Sequence, residues 1–228
     1  MTFSLVARCP STGQLGVGAM TAMLGIGKLV AHAKAQVGAA ATQAMVNPYL
    51  AFDGLSRLEQ GGAAPEVLEE LIAADPGREG RQFGLVDAQG RVAAHTGTLP
   101  EDYKGHRTGD GWACQGNRLA GPEVLDAAVE AFASDPDAPL VERLLATLDA
   151  GEDQGGDTKG HQSATITVVE RELYPLWDLR VDESDEPLRE IHALHEEFAE
   201  KLVPQIRMLP TRDDALGGFD YERDASGV

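Results

Sequence analysis

The sequence predicts an α+β protein in which antiparallel sheets are covered by helices, and three observations carry that expectation. Apolar strand patterns recur in pairs joined by turn residues, as in TFSLVARC, PSTG, QLGVGAM. These pairs alternate with pairs of helical segments rather than with single helices, which disfavours a doubly wound parallel sheet. A length of 228 residues with 43% hydrophobic content fits one large domain with a genuine core.

The elements follow in order. Thr2 to Cys9 and QLGVGAM form the first hairpin. AQVGAAATQAMV is too rich in Gly and Ala to assign by periodicity, but its small residues suit a buried strand lying close to another backbone. Asn47 and Pro48 then open a helix, YLAFDGLSRLEQG, with Asn47 as cap and Gly61 beyond its end. PEVLEELIAAD is a second helix with Val67, Leu68, Leu71 and Ile72 on one face. RQFGLVD and RVAAHTG make a second hairpin, and GWACQGN reads as a strand that stops in a Gly-Asn turn. GPEVLDAAVEAFAS and PLVERLLATLDAG supply the next helix pair, the latter closing on Gly151. SATITVVE and LWDLRV are the last strands. Pro187 to Met208 carries an apolar stripe at helical spacing, and the remainder is an acidic, Gly-rich tail. Residues 1–182 are thus expected as one domain, with 183–228 a helix and tail packed on that domain or on a second subunit, in a homodimer.

Charge and cysteine usage exclude several classes. Only 19 Lys and Arg face 37 Asp and Glu, a net charge of −18, so a nucleic-acid partner is not expected. Cys9 and Cys114 stand apart without a CxxC pattern, which suggests buried thiols rather than a zinc site or a disulfide framework. No apolar run approaches the ~20 residues needed to span a bilayer, and the start lacks a basic then apolar leader pattern. A cytoplasmic protein without membrane partner, metal or other cofactor is the expectation.

Chemistry has five places to sit. Thr2 follows Met1, and methionine removal before a small residue would set a hydroxyl beside a free α-amine of pKa about 8, a nucleophile with its own base. Four polar clusters fall at strand ends or in loops: Gln43 with Asn47, His95-Thr96-Gly97, Gln115-Gly116-Asn117, and GGDTKGHQSA from Gly155 to Ala164. Side-chain amides offer both donor and acceptor and so suit a substrate that is itself an amide or short peptide. In the last cluster Asp157 brings a carboxylate, Lys159 a cation, His161 an imidazole and Ser163 a hydroxyl, beside glycines that let a ligand approach the backbone. Each cluster also has an ordinary explanation: Asn47 can cap a helix, and Gln115 and Asn117 can satisfy a turn. His192 and His195 lie three residues apart, not at the i, i+4 spacing of a helical zinc site. GxSxG and GxGxxG are both absent.

The runs TFSLVAR, GAAATQAMVNP, ADPGREGRQFGLVDAQGRVAAHTG, GHRTGDGWACQGNRLAGPEV and GGDTKGHQSA, in that order, resemble the family called domain of unknown function 1028. The resemblance covers Thr2 to Val181 and implies membership of the N-terminal nucleophile (Ntn) hydrolase superfamily, hence a four-layer αββα sandwich of two packed antiparallel sheets flanked by helices. It further implies Thr2 as nucleophile, and places Gln43, Asn47, His95, Gln115, Asn117, Asp157, Gln162 and Ser163 in recurring motifs. Lys159 stands where the pattern has Arg. The resulting expectation is an amidohydrolase with Thr2, Asn117, Asp157 and Ser163 catalytic, and Gln43, Asn47, His95, Gln115, Lys159 and Gln162 contacting a small amide or short peptide. Two alternatives stay open: the same fold with chemistry drawn from the 155–163 loop, and a ligand-binding protein without turnover.

Overall fold

The alternation in TFSLVAR decides where each side chain of β1 (Thr2–Arg8) points in the computed structural model, which describes residues 2–100, 102–156 and 158–218. Phe3, Leu5 and Ala7 enter one apolar cluster and Val6 enters another, so β1 has helices on one face and a second sheet on the other. Thr2 and Ser4 share the Val6 face.

Among the described residues β1 is central in a six-stranded sheet of order β10-β9-β2-β1-β8-β7. Its members are β2 (Leu15–Thr21), β7 (Tyr103–Gly109), β8 (Trp112–Leu119), β9 (Ser163–Val169) and β10 (Trp177–Val181). A four-stranded sheet runs β3-β4-β5-β6, from β3 (Ala31–Lys34), β4 (Gly38–Ala44), β5 (Arg81–Asp87) and β6 (Val92–Thr96). Every pairing in both sheets is antiparallel.

Helices α1 (Pro48–Glu59) and α2 (Ala64–Ala74) bury Leu50, Leu55, Leu68 and Leu71 against Phe83 and Leu85 of the smaller sheet. Helices α3 (Pro122–Ser134) and α4 (Leu140–Asp153) bury Leu125, Phe132, Leu144 and Leu148 against Phe3 and Leu5 of the larger one. Burial of each such side chain favours folding by about 1.5–3 kcal/mol. The cluster where the two sheets meet is made of smaller residues, among them Val6, Val17, Ala19, Ala39 and Ala41. Small side chains here let polar side chains reach from one sheet to the other.

Four parts of the chain differ from the sequence expectation. GWACQGN does not stop at Gly116: β8 runs on to Leu119, with Gly116 and Asn117 paired to Phe3 and Thr2. β3 and β7 had no assigned pattern; β7 is polar and half exposed, which leaves no apolar alternation to read. The expected helix over 187–208 is divided into α5 (Pro187–Lys201) and α6 (Val203–Ile206), the break falling at Leu202, just before Pro204. The α5 stripe packs on this chain's own larger sheet, with Ile191 fully buried and Leu188, Leu194 and Phe198 partly so. No described helix is long and apolar enough to cross a membrane.

Candidate functional site between the two sheets

Strand register builds a polar row across the larger sheet. Thr2 stands opposite Thr21 on one side and Asn117 on the other; Thr21 in turn faces Ser163, and Asn117 faces Lys104. Thr2 Oγ1 donates to Thr21 Oγ1 at 3.1 Å, and both residues are buried. Two positions along, the same face carries Ser4 opposite Gln115, and Gln115 Nε2 donates to Ser4 Oγ at 2.7 Å.

The smaller sheet meets this row with two more amides. Gln43, near the end of β4, accepts from Ser4 Oγ at 2.6 Å and donates through Nε2 to the Thr2 carbonyl at 3.0 Å, the Gln115 carbonyl at 3.2 Å and Gln82 Oε1 at 2.7 Å. Gln82, directly across from Gln43 on β5, is the hub. Its Oε1 also accepts from Asn117 Nδ2 at 2.9 Å, while its Nε2 lies 2.8 to 3.1 Å from the Gly116 and Gly105 carbonyls and Thr96 Oγ1. Asn117 Nδ2 has a longer contact, 3.4 Å, to the Thr2 carbonyl. Thr2, Ser4, Thr21, Gln43, Gln82, Gln115 and Asn117 are each at most 2% exposed, so their polar atoms depend on one another. One finds no partner among the described residues: Gln115 Oε1 is buried against Gly84, where any Cβ would collide with it.

The strands that carry Gln43 and Asn117 break in the same way. The next residues, Ala44 and Arg118, both adopt left-handed backbone, with φ of 68° and 55°. At Arg118 the pairing slips, since Asn117 faces Lys104 while Leu119 faces Tyr103, which makes Arg118 the extra residue of a bulge. A cavity of about 250 Å³ opens there, lined by Met23, Ala44, Met45, Gly80, Leu99, Pro100, Asn117 and Arg118. Its rim is held by Arg81, whose Nε lies 2.8 Å from Asp75 Oδ2 and whose Nη1 donates to the Met45 carbonyl. The Arg81 hydrogen bond holds the Asp75 carboxyl below its usual pKa.

Of the residues singled out by sequence, Thr2, Gln43, Gln115 and Asn117 come together in this network. Ser163 lies two strands from Thr2 and uses its hydroxyl on the neighbouring loop, donating to the Met23 carbonyl at 2.5 Å and accepting from Ile26 N at 3.3 Å. Asn47 caps α1, its Oδ1 accepting from Tyr49 N at 3.2 Å. His95 lies on the face of β6 opposite to Thr96, its Nε2 2.9 Å from the Arg78 carbonyl. Lys159 and Gln162 are exposed and line a second cavity, of about 560 Å³, with Glu152, His161 and the start of α5. His161 Nδ1 lies 2.5 Å from Glu152 Oε2 there. Asp157 lies outside the described residues. His192 pairs with Asp149 at 2.9 Å and His195 stacks near Trp177, and no described group of His, Cys, Asp and Glu could hold a metal ion.

Sequence reasoning missed Ser4, Thr21 and Gln82, and in the His95-Thr96-Gly97 cluster it singled out His95 where the structure uses Thr96. The signal for Gln82 is present in RQFGLVD, where a glutamine stands on the same strand face as Gly84 and Val86. A polar residue on a face otherwise fit for a sheet interface asks for partners across it.

The family model described as "Family of unknown function (DUF1028)" matches residues 2–191. The crystal structure of protein SPO2555 from Silicibacter pomeroyi, carrying the same family assignment, superposes with a TM-score of 0.87 at 30% identity, over 96% of this chain and 99% of that one. The ancestral β-subunit Anbu of Yersinia bercovieri aligns at a TM-score of 0.41 and 13% identity, over 92% of this chain and 98% of that one. No curated protein matches the chain.

Proposed function

The chain belongs to the DUF1028 family, whose description assigns no chemistry, and from that premise we propose that it is an Ntn-type amidohydrolase acting on a small amide or short peptide. In this reading the helix pairs packed on each sheet, α1 with α2 and α3 with α4, are the outer layers of an αββα sandwich. Removal of Met1 frees the Thr2 α-amine. Thr2 Oγ1 then forms a bond to the substrate carbonyl carbon while the α-amine takes the hydroxyl proton. The C–N bond breaks, the proton passes to the departing amine, and water hydrolyses the resulting ester. Asn117 Nδ2, whose 3.4 Å contact to the Thr2 carbonyl is the weaker of its two, turns that donor to the oxyanion.

The observation that carries the reading is the position of Thr2. It occupies the first place of a central strand, hydrogen-bonded to Thr21, with its carbonyl gripped by Gln43 and its neighbour Asn117 lining the cavity. Among the described residues Thr2 Oγ1 hydrogen-bonds to the uncharged hydroxyl of Thr21, so this reading takes the residue's own amine as the base. The test is intact mass of protein from its native host together with hydrolysis of a panel of acylated amino acids and dipeptides. Loss of Met1, activity retained in Thr2→Ser and abolished in Thr2→Ala are the expected results. Full retention of Met1 in active protein refutes the nucleophile.

The Glu152–His161 pair in the second cavity favours one other reading, in which chemistry comes from the 155–163 loop. Activity that survives Thr2→Ala and disappears in His161→Ala would select it.

A further inference from the structure

Resting on the proposed nucleophile, we infer that the cavity beside Asn117 is a pocket for an apolar group, so that the substrate is an amide bearing a hydrophobic side chain or short acyl chain next to the scissile bond. The lining comes from separate parts of the chain. Met23 follows β2, Met45 follows β4, and Leu99 and Pro100 lie between β6 and β7. Met23, Met45 and Leu99 are 51%, 62% and 66% exposed, in a chain whose other large apolar residues mostly lie in three buried clusters. Independent loops rarely present convergent apolar side chains to water without an occupant. Among the described residues the lining holds two polar side chains, Asn117 and Arg118, and the rest of it is Met23, Ala44, Met45, Gly80, Leu99 and Pro100. A charged group placed against Met23, Met45 and Leu99 would be desolvated by thioether and leucine surface.

The two polar side chains of the lining, Asn117 and Arg118, are consecutive residues of β8. Asn117 is the amide in the lining, and it belongs to the network that holds the Thr2 carbonyl. An occupant therefore lies with its amide toward Asn117 and its apolar part between the methionines. A volume of about 250 Å³ falls just under the ~300–1,000 Å³ of drug-sized sites and suits a chain of a few carbons. Methionine is flexible and polarizable, so the walls adapt to straight and branched groups alike.

Protein with Thr2 N-terminal is treated with p-nitrophenyl acetate, butyrate, hexanoate and monosuccinate, following nitrophenolate release and the mass of acylated Thr2. In parallel, binding of acetamide, butyramide, hexanamide and succinamate is followed by NMR at the Asn117 side-chain amide. Partial burial of four added methylenes should raise kcat/KM and tighten binding about tenfold from acetyl to hexanoyl. The succinyl compounds should be poorer than the butyryl ones, and the hexanoyl-to-acetyl ratio should collapse in Met45→Glu and Leu99→Glu, both exposed positions that the fold tolerates. A flat chain-length series, or preference for the succinyl compounds, overturns the apolar pocket even if Thr2 is acylated. Absence of any Thr2 adduct overturns the nucleophile instead, and the amide binding series then decides the pocket by itself.

Discussion

Replacing Gln82 by Leu and Gln115 by Met should have very different costs, although both glutamines are fully buried in the same network. Gln82 takes part in five hydrogen bonds, two at Oε1 and three at Nε2. Without it Asn117 Nδ2 keeps only the 3.4 Å contact, and the Gly105 and Gly116 carbonyls lose a side-chain donor. A buried polar group left unpartnered costs about 1–3 kcal/mol, so after allowing for the apolar burial gained by Leu the net loss is about 3 kcal/mol. At 2–4 °C per kcal/mol for a chain of this size, that is a fall in Tm of about 6–12 °C. Gln115→Met loses one bond, Nε2 to Ser4 Oγ, and at the same time removes the unpartnered Oε1. Ser4 Oγ continues to donate to Gln43. Its cost should stay within about 1 kcal/mol. Urea unfolding followed by tryptophan fluorescence, with m unchanged, measures both. Equal costs, or a larger cost for Gln115→Met, would refute the claim that satisfaction of partners sets each amide's contribution.

Ala44→Gly should stabilise the protein by about 0.5 kcal/mol, because relief of left-handed strain outweighs the added freedom of the unfolded chain; a lower Tm than wild type would contradict this. Asp75→Asn should destabilise at pH 7 by about 1–2 kcal/mol. The folded-state pKa of Asp75 is depressed, so its contribution is present above the ordinary value of about 4 and is lost as pH falls through the folded value. The gap between wild type and Asp75→Asn should accordingly close in acid, and a gap that widens there would reverse the assignment. Burial pushes the Cys114 thiol up to about 12, so it should remain unmodified by maleimide in native protein at pH 8 and react only on unfolding, as read by mass.

Much of the fold was legible in residues whose neighbours in sequence are also their neighbours in space. The alternation of TFSLVAR, the turn at PSTG and the cap at Asn47-Pro48 are local physics, and they correspond to β1, its turn and the start of α1. Where local signal was weak, boundaries moved. Gly116-Asn117 carries turn chemistry in isolation, yet pairing with β1 and β7 holds it extended.

The sequence by itself determined which residue types were available: a threonine at position 2, amides at 43, 115 and 117, and a methionine after each of β2 and β4. Only the tertiary structure decided which of them meet. Gln82 joined Gln43 through register across β4 and β5, and Asn117 through the meeting of the two sheets. His95, one residue from Thr96, was sent to the opposite face by the strand's period of two. A side-chain amide looks the same in a turn, a cap or a buried network when read along the chain. What separates these roles is the set of donors and acceptors brought alongside after both sheets have formed, and that set comes from residues up to 115 positions apart.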